Sequence, residues 1–411
     1  MRFYLETHGC TANRGNSEAF SDALIEKGHL PVSLEEAELV IVNTCAVTER
    51  TERDMKKRLS ELQGERLVVA GCLPSAIPGA VREIRCRGVR GILGRAAAEE
   101  MGEGLLPDRS MERRPPAALR LTAIVNISEG CLGRCSYCIV RRARGALKSR
   151  TVEEVRSEVE SRLREGAVEV LLASQDAAAY GLDLGSDLPE LLDAVAGIAG
   201  GFRVRVGMMN PALLAPIMED LISSYEDPKV YKFLHLPLQS GSDRVLDKMN
   251  RGYTGGDFLD MAALFREAFP ELTLYTDVIA GFPGETEEDF DATEELIRKA
   301  QPDKVNVTMY SSRPGTAASS YGDIPSRFKK DRSRRITRLW QEIAGRRNGR
   351  YLGETIVAQV TERGRGRTMM ARGDNYRKIA VSDPHLLGSV HRFKIVRTTP
   401  FYLIGEAIGR E

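Results

Sequence analysis

The sequence predicts an α/β protein in three parts: an open parallel α/β domain, a partial TIM-type (βα)6 barrel, and a small antiparallel β-barrel. Three observations carry this. Apolar strands alternate with amphipathic helices from Met1 to Val307, the pattern of parallel sheets. After Tyr351 the period changes to two, as in short antiparallel strands. A chain of 411 residues also exceeds one ordinary core and calls for two or three domains.

Composition narrows the class. A hydrophobic content of 42% and a charged content of 28% are those of a soluble globular protein. No apolar run approaches a bilayer span, and Met1–Glu6 lacks a signal peptide's apolar region, so a cytoplasmic protein is expected. In a reducing compartment the seven Cys serve better as metal or cluster ligands than as disulfides. The net charge of +1 gives no global attraction to nucleic acid, so any such partner is held by local patches.

In chain order, Met1–Glu6, Leu39–Asn43 and Leu67–Gly71 read as strands, and Ser17–Lys27 and Glu49–Leu62 as helices. In such layers ligands collect beyond the carboxyl ends of the strands. Cys10, Cys45 and Cys72 each lie at or just past a strand end, so the three thiols meet on one rim as a three-thiolate cluster site. Each alone reads as a small buried residue in a turn; together they do not. Cys86 has no such setting and reads as a structural or surface thiol, and His8 as an ordinary hydrogen-bonding residue. Residues 106–120, with Leu106-Pro107-Asp108-Arg109 and Arg113-Arg114-Pro115-Pro116, form a linker.

Leu121–Ile127 is the next strand, and Gly130-Cys131-Leu132-Gly133-Arg134-Cys135-Ser136-Tyr137-Cys138 follows it. Cys131, Cys135 and Cys138 can converge only on a looped backbone, which Gly130 and Gly133 permit. The spacing also fits one face of a helix, which the glycines oppose, or a zinc site, for which no fourth ligand follows at finger spacing. A cubane iron–sulfur cluster on three thiolates leaves one iron open. The alternation then continues through strands Val168–Ala173, Phe202–Val206, Phe233–Leu238, Leu272–Ile279 and Lys304–Val307, with helices Val152–Glu165, Leu188–Ile198, Asp257–Phe269 and Glu287–Lys299. Six strands make a partial barrel whose active face is the carboxyl-terminal rim.

The thiol spacing, with an aromatic residue before the last Cys, resembles the signature of the radical S-adenosylmethionine (SAM) superfamily. That resemblance implies Cys131, Cys135 and Cys138 as cluster ligands, SAM chelated on the open iron, and Tyr137 packing against the loop. Polar residues on the rim are then candidates for holding SAM: Ser174-Gln175-Asp176 after the second strand, Gln239-Ser240-Gly241-Ser242 after the fourth, and Gly281–Thr286 after the fifth, with Gln175 and Asp277 favoured. Each triplet has an alternative as a turn and helix cap.

Ser326–Arg350 reads as an amphipathic helix with a basic face (Arg327, Lys329, Lys330, Arg332, Arg334, Arg335, Arg338, Arg346, Arg347 and Arg350) that favours phosphate contact over a merely solvated surface. Thr355–Val360, Arg377–Val381, Ser389–Ile395 and Tyr402–Ala407 are the strands of the last barrel. Arg363, Arg365, Arg367, Arg372, Arg377 and Lys378 stud its first loops and strands, as in RNA-binding barrels; the alternative is a capping domain.

Asn43-Thr44-Cys45, Gly71-Cys72, His235-Leu236-Pro237-Leu238-Gln239-Ser240-Gly241, Gly281–Thr286 and Arg313-Pro314-Gly315-Thr316 extend the resemblance over essentially the whole chain, to the radical-SAM methylthiotransferases. It implies an auxiliary-cluster domain at 1–105, the linker at 106–120, a radical-SAM domain at 121–345 and a TRAM-like RNA-binding domain at 346–411. The cofactors implied are SAM and two [4Fe–4S] clusters, the second on Cys10, Cys45 and Cys72, with all six cysteines catalytic. The partners implied are a tRNA anticodon stem-loop, an electron donor and a sulfur source. Ala143-Arg144-Gly145 and Ser174-Gln175-Asp176 are most similar to the archaeal and eukaryotic branch that acts on N6-threonylcarbamoyladenosine at position 37 of tRNA. Isopentenyl-adenosine in tRNA and a ribosomal-protein side chain are the alternative substrates. An RNA-binding iron–sulfur sensor or electron carrier is the alternative of another class, disfavoured because electron carriers close their clusters with a fourth protein ligand.

Overall fold

The structure is a computed structural model that describes residues 1–104 and 120–410; the linker, apart from Arg120, lies outside the described residues. The amino-terminal layer comprises β1 (Arg2–Thr7), β2 (Leu30–Pro31), β3 (Leu39–Thr44), β4 (Gly64–Gly71) and β5 (Cys86–Val89), all parallel in the order β2-β1-β3-β4-β5. β3 is buried at every residue because helices cover both faces. Val40 and Val42 pack with Met55 and Leu59 of the helix Glu49–Leu62, whereas Leu39 and Ile41 pack with Phe20 and Leu24 of the helix Thr11–Glu26. The latter helix starts at Thr11 rather than Ser17. Its first turns carry little apolar period, but Ala12, Asn13, Gly15 and Asn16 are buried, and a Cβ on Gly15 would come within 2.8 Å of Ile124 and Asn126. Contact with the central domain, not propensity, makes that stretch helical.

The central strands are β6 (Thr122–Asn126), the short antiparallel pair β7 (Ser128–Glu129) and β8 (Lys148–Ser149), then β9 (Glu169–Ala173), β10 (Arg203–Val206), β11 (Phe233–His235), β12 (Thr273–Ala280) and β13 (Lys304–Met309). β6-β9-β10 and β11-β12-β13 are parallel sheets, joined by parallel bridges Val204–Val230 and Met208–His235 into a six-stranded arc. β11 stops at His235 rather than Leu238, because Pro237 has no N–H to give the ladder. One large core lies between the arc and its outer helices and takes in Ile336, Leu339, Trp340 and Ile343 of the helix Ser326–Gly349.

The last barrel is closed in the order β14-β15-β16-β18-β17: β14 (Thr355–Arg363), β15 (Met369–Gly373), β16 (Lys378–Val381), β17 (Val390–Thr398) and β18 (Leu403–Arg410). It differs from expectation in two ways. β16 and β18 pair in parallel, so the barrel is not wholly antiparallel, and β15 is an additional strand, hidden in the sequence because Met369-Met370-Ala371-Arg372-Gly373 carries no β-branched residue.

The expected basic faces are also narrower. Arg332 pairs with Glu285 at 2.7 Å, Arg347 and Arg377 with Asp303 at 2.7 and 2.8 Å, Lys329 with Asp323 at 2.6 Å, and Arg335 with Glu294 at 3.1 Å. These cations hold the helix Ser326–Gly349 and the last barrel onto the arc. Arg327, Lys330, Arg334 and Arg338 on the helix, with Arg363, Arg365 and Arg367 on the β14–β15 hairpin, remain exposed. No helix among the described residues is long and apolar enough to cross a membrane.

Candidate active site

Both sets of thiols lie at carboxyl ends of parallel strands. Cys10 follows β1, Cys45 follows β3 and Cys72 follows β4. The pairs Thr7–Asn43 and Thr44–Gly71 set the three strand ends level, which puts the thiols on one rim. A Cβ on Gly9 would lie 3.4 Å from Cys45 Sγ. Gly71 has φ +94°, and a Cβ there would overlap Asn43 Oδ1 and Thr44 O, so only glycine lets β4 turn and present Cys72. Cys86 begins β5, at the opposite end of the sheet. His8 is held by Glu6 at 2.7 Å.

The second set is gathered by its loop. Gly130 has φ +78°, and a Cβ there would overlap Ala146 O. Gly133 lies between two sulfurs, its Cβ position 3.3 Å from Cys131 Sγ and 3.6 Å from Cys135 Sγ. Each sulfur accepts one hydrogen bond: Gly133 N–H to Cys131 at 3.2 Å, Arg251 Nη1 to Cys135 at 3.0 Å, and Val140 N–H to Cys138 at 3.4 Å. Such donors favour thiolates. The loop is tethered by Ser136 Oγ to Lys248 O at 2.8 Å and by Asn250 Nδ2 to Arg134 O at 2.9 Å. Tyr137 packs edge-on to Phe282 at 6.4 Å.

Burial pushes the Cys72 thiol up to about 11 and the Cys138 thiol up to about 12. Bare thiols of that weak acidity are not free nucleophiles at neutral pH; they become thiolates only beside strong positive charge. Among the described residues no three His, Cys, Asp or Glu are close enough to share one metal ion. A cubane takes each thiolate at a different iron, so its three ligands need not converge on one ion.

The three rim triplets divide sharply. Ser174 Oγ and both amide atoms of Gln175 are buried with no hydrogen-bond partner. Unmet donors and acceptors at the mouth of a barrel suit a polar ligand such as SAM. Asp176 accepts Asn210 N–H at 3.0 Å, and burial pushes its carboxyl up to about 6. By contrast, Ser242 Oγ donates to Asp289 at 2.6 Å, Gly241 N–H donates to Thr293 Oγ1 at 2.8 Å, and Thr286 caps the helix Glu287–Ala300. Those two triplets are spent on packing and capping. Gln239 has a left-handed backbone, φ +64°, and lies opposite Val278 of β12. Asp277 is occupied by His235 Nε2 at 2.7 Å and Asn306 Nδ2 at 2.9 Å; these partners outweigh burial and hold its carboxyl below the usual range.

Sequence reasoning passed over two arginines. Arg251, in a short turn between helices, reaches both Cys135 and Asn210 Oδ1, the latter at 3.1 Å. Arg144 ends the helix Val140–Arg144 that follows Cys138, yet it points into the other rim. Its guanidinium donates to Asn13 Oδ1 at 2.7 Å and Asn16 Oδ1 at 3.0 Å, pairs with Glu129 at 2.5 Å, and lies beside Cys72. Asn13 in turn donates to His8 O and Thr44 O. One side chain therefore ties the cluster loop of the barrel to the thiol rim of the first domain. The only sign in the sequence was its place in Ala143-Arg144-Gly145.

A parallel barrel with a three-thiol loop on its rim defines the radical-SAM class, and residues 125–297 match the Radical SAM superfamily. Residues 2–89 match the Uncharacterized protein family UPF0004. Among solved structures, the fold is similar to a radical S-adenosylmethionine methyltransferase, TsrM, from Kitasatospora setae, with TM-score 0.55 and 16% identity over 77% of this chain and 76% of that one. A "Probable threonylcarbamoyladenosine tRNA methylthiotransferase" of Pyrococcus horikoshii is 39% identical, covering 99% of this chain and all (100%) of the relative. The threonylcarbamoyladenosine tRNA methylthiotransferase of Drosophila melanogaster is 32% identical over 100% of this chain and 78% of its own. The chain belongs to the threonylcarbamoyladenosine tRNA methylthiotransferase family, and so to the radical-SAM transferases that use SAM and two [4Fe–4S] clusters.

Proposed function

We propose that this enzyme replaces the C2 hydrogen of N6-threonylcarbamoyladenosine in a tRNA anticodon stem-loop with a thiomethyl group. The observation that carries the reading is the pair of three-thiol rims bridged by Arg144, beside relatives of that name in archaea and animals. When bound, the clusters supply one-electron cleavage of SAM at one rim and a site for the transferred sulfur at the other. Cys131, Cys135 and Cys138 hold the first cluster, and Cys10, Cys45 and Cys72 the second. Arg251 donates to Cys135, and Arg144 lies beside Cys72. Ser174 and Gln175 offer their unmet polar atoms to SAM, Asp176 orients Asn210 and Arg251, and Gln239 and Asp277 line the same mouth. Tyr137 packs edge-on to Phe282 and so steadies the loop.

The division at 1–105, 121–345 and 346–411 assigns sulfur handling, radical generation and RNA holding in that order. Arg363, Arg365 and Arg367 face solvent as phosphate contacts would. An electron donor and a sulfur source complete the cycle, and the chain works in the cytoplasm. The test is anaerobic reconstitution with iron and sulfide, then SAM, a reductant and RNA bearing the modified adenosine, followed by nucleoside mass spectrometry. A product heavier by one thiomethyl in place of hydrogen is expected. Accumulation of 5′-deoxyadenosine without that product would sink the substrate and keep the radical chemistry; isopentenyl-adenosine RNA and ribosomal protein are then the next substrates.

A further inference from the structure

The barrel lumen has an unusual floor. Ile124, Leu171, Tyr231 and Phe233 face inward, and the last barrel inserts Tyr376 between them, its ring 4.9 Å from both Tyr231 and Phe233. Tyr376 reaches this position from a left-handed backbone, φ +61°, that bulky residues rarely adopt. Two guanidinium groups lie against that ring, and two lysines stand beyond them. The Arg205 guanidinium lies 5.0 Å from the Phe233 ring and 5.7 Å from that of Tyr376, and the Arg372 guanidinium lies 4.7 Å from that of Tyr376. Lys304 lies over Tyr275 at 5.4 Å, and Lys378 is near enough to Lys304 and Arg372 to feel both charges. Burial holds both lysines below their usual range.

The acids nearby are already committed. Asp277 serves His235 and Asn306, and Glu169 accepts from Tyr231 at 3.0 Å and Thr122 at 2.8 Å while standing 4.0 Å from Arg372 Nε, an ion pair without a hydrogen bond. Glu362, exposed at the edge, takes only one arm of Arg372, at 3.0 Å. Arg372 is 6% exposed, yet its Nε and Nη1 have no hydrogen-bond partner. Arg205 is more telling. Among the described residues it makes no hydrogen bond and no ion pair, and its buried Nε is unpartnered. A guanidinium stacked on aromatic rings inside a barrel and left without an acid awaits an anion.

What could reach it comes from above. β10 places Arg205 level with Leu171 and two residues below Gly207; at a strand's rise that is about 6–7 Å. Above Arg205 on the neighbouring strands stand Ala173 and, beside it, Asn126, with Ala12 of the first domain packed against them. RNA phosphates cannot descend a barrel, but a flipped base with a long substituent can. A threonylcarbamoyl group ends in a carboxylate; an isopentenyl group ends in methyls.

We propose that Arg205, backed by Arg372, is the specificity residue that receives the carboxylate of the threonylcarbamoyl substituent. This rests on the substrate reading above. The test compares RNA stem-loops carrying either the free acid or its primary amide at the modified base. The wild-type protein binds the acid roughly ten- to a hundredfold more tightly than the amide. Arg205→Gln brings that ratio to about one, through loss of acid binding alone, and Arg205→Lys holds an intermediate value. A wild-type ratio near one, or an Arg205→Gln ratio equal to the wild-type one, overturns the assignment even if the acid is methylthiolated. If neither RNA is methylthiolated and isopentenyl-adenosine RNA is, the substrate reading fails and this inference fails with it. The wild-type arm decides without any variant.

Discussion

Cys131, Cys135 and Cys138 are brought together by one tight loop, whereas Cys10, Cys45 and Cys72 are brought together by a sheet. In the first case the geometry is largely local: two glycines and two backbone N–H groups shape the stretch, and Arg251 reaches in from the same domain. In the second the geometry is global, because each thiol is placed by a different strand and the set exists only while β1, β3 and β4 keep register. Yet both rims place one arginine against one sulfur, Arg251 at Cys135 and Arg144 at Cys72. Arg251 comes from the same domain as its thiol; Arg144 crosses from the barrel into the other layer. The local site is self-sufficient, and the global one borrows its cation.

The largest effects should come from the thiols themselves. Cys138→Ala is expected to abolish both 5′-deoxyadenosine formation and methylthiolation, whereas Cys72→Ala abolishes only methylthiolation and lowers the iron content of the reconstituted protein by about half. Normal product from Cys72→Ala would end the auxiliary-site assignment. Parallel loss of 5′-deoxyadenosine in that variant would show that the two rims are not independent.

The glycines come next. Gly130→Ala drives a methyl into Ala146 O, and Gly71→Ala drives one into Asn43 and Thr44, each from a left-handed backbone. Both should cost roughly 3 kcal/mol or more, read as a lower melting temperature. The local and global sites should then part company. Gly130→Ala should spoil only the loop cluster, whereas Gly71→Ala should loosen the whole first layer and show as faster hydrogen exchange along β3 and β4.

The same contrast governs what could be read from residues alone. The long buried strands and most helices are legible, because a buried parallel strand is an apolar run and a Cys just after it is conspicuous; the short strands and β15 are not. Nor are the cations. Arg332, Arg347 and Arg377 looked like a phosphate-binding surface because their acids, Glu285 and Asp303, lie far away in the sequence. Arg205 is unremarkable in the alternating Arg203-Val204-Arg205-Val206, where only the fold reveals that no acid among the described residues meets it. The rim triplets were indistinguishable as sequence: Ser, Gly and Asp serve caps and ligands alike, and the difference lies in whether a partner such as Asp289 has already taken the hydroxyl.

Arg144 tests the borrowed cation. Its side chain is 1% exposed and Glu129 is about one-third exposed at 34%, so Arg144→Gln strands mainly the buried Asn13 and Asn16 acceptors. A loss of about 2 kcal/mol in stability is expected. Arg144→Lys should recover part of it, since an ammonium satisfies one acceptor but not the fork. The spectroscopic signature of the cluster proposed for Cys10, Cys45 and Cys72 should shift in both variants while that of the other cluster stays, which a purely structural role would not produce.

The smallest effect is the one that separates ligand-holding from packing on the rim. Gln175 carries two buried amide atoms with no partner, and Ser242 carries a hydroxyl fully engaged by Asp289. Removing an unsatisfied group relieves the empty protein of a desolvation cost, whereas removing a satisfied one leaves its partner short. Gln175→Ala is therefore expected to leave the melting temperature unchanged or slightly raised and to weaken SAM binding about tenfold by equilibrium dialysis. Ser242→Ala should do the reverse, costing about 1 kcal/mol of stability with SAM affinity within about twofold of wild type. If both variants lose stability and keep SAM affinity, the amide of Gln175 has a structural partner in solution, and the cofactor is held by other residues of the rim.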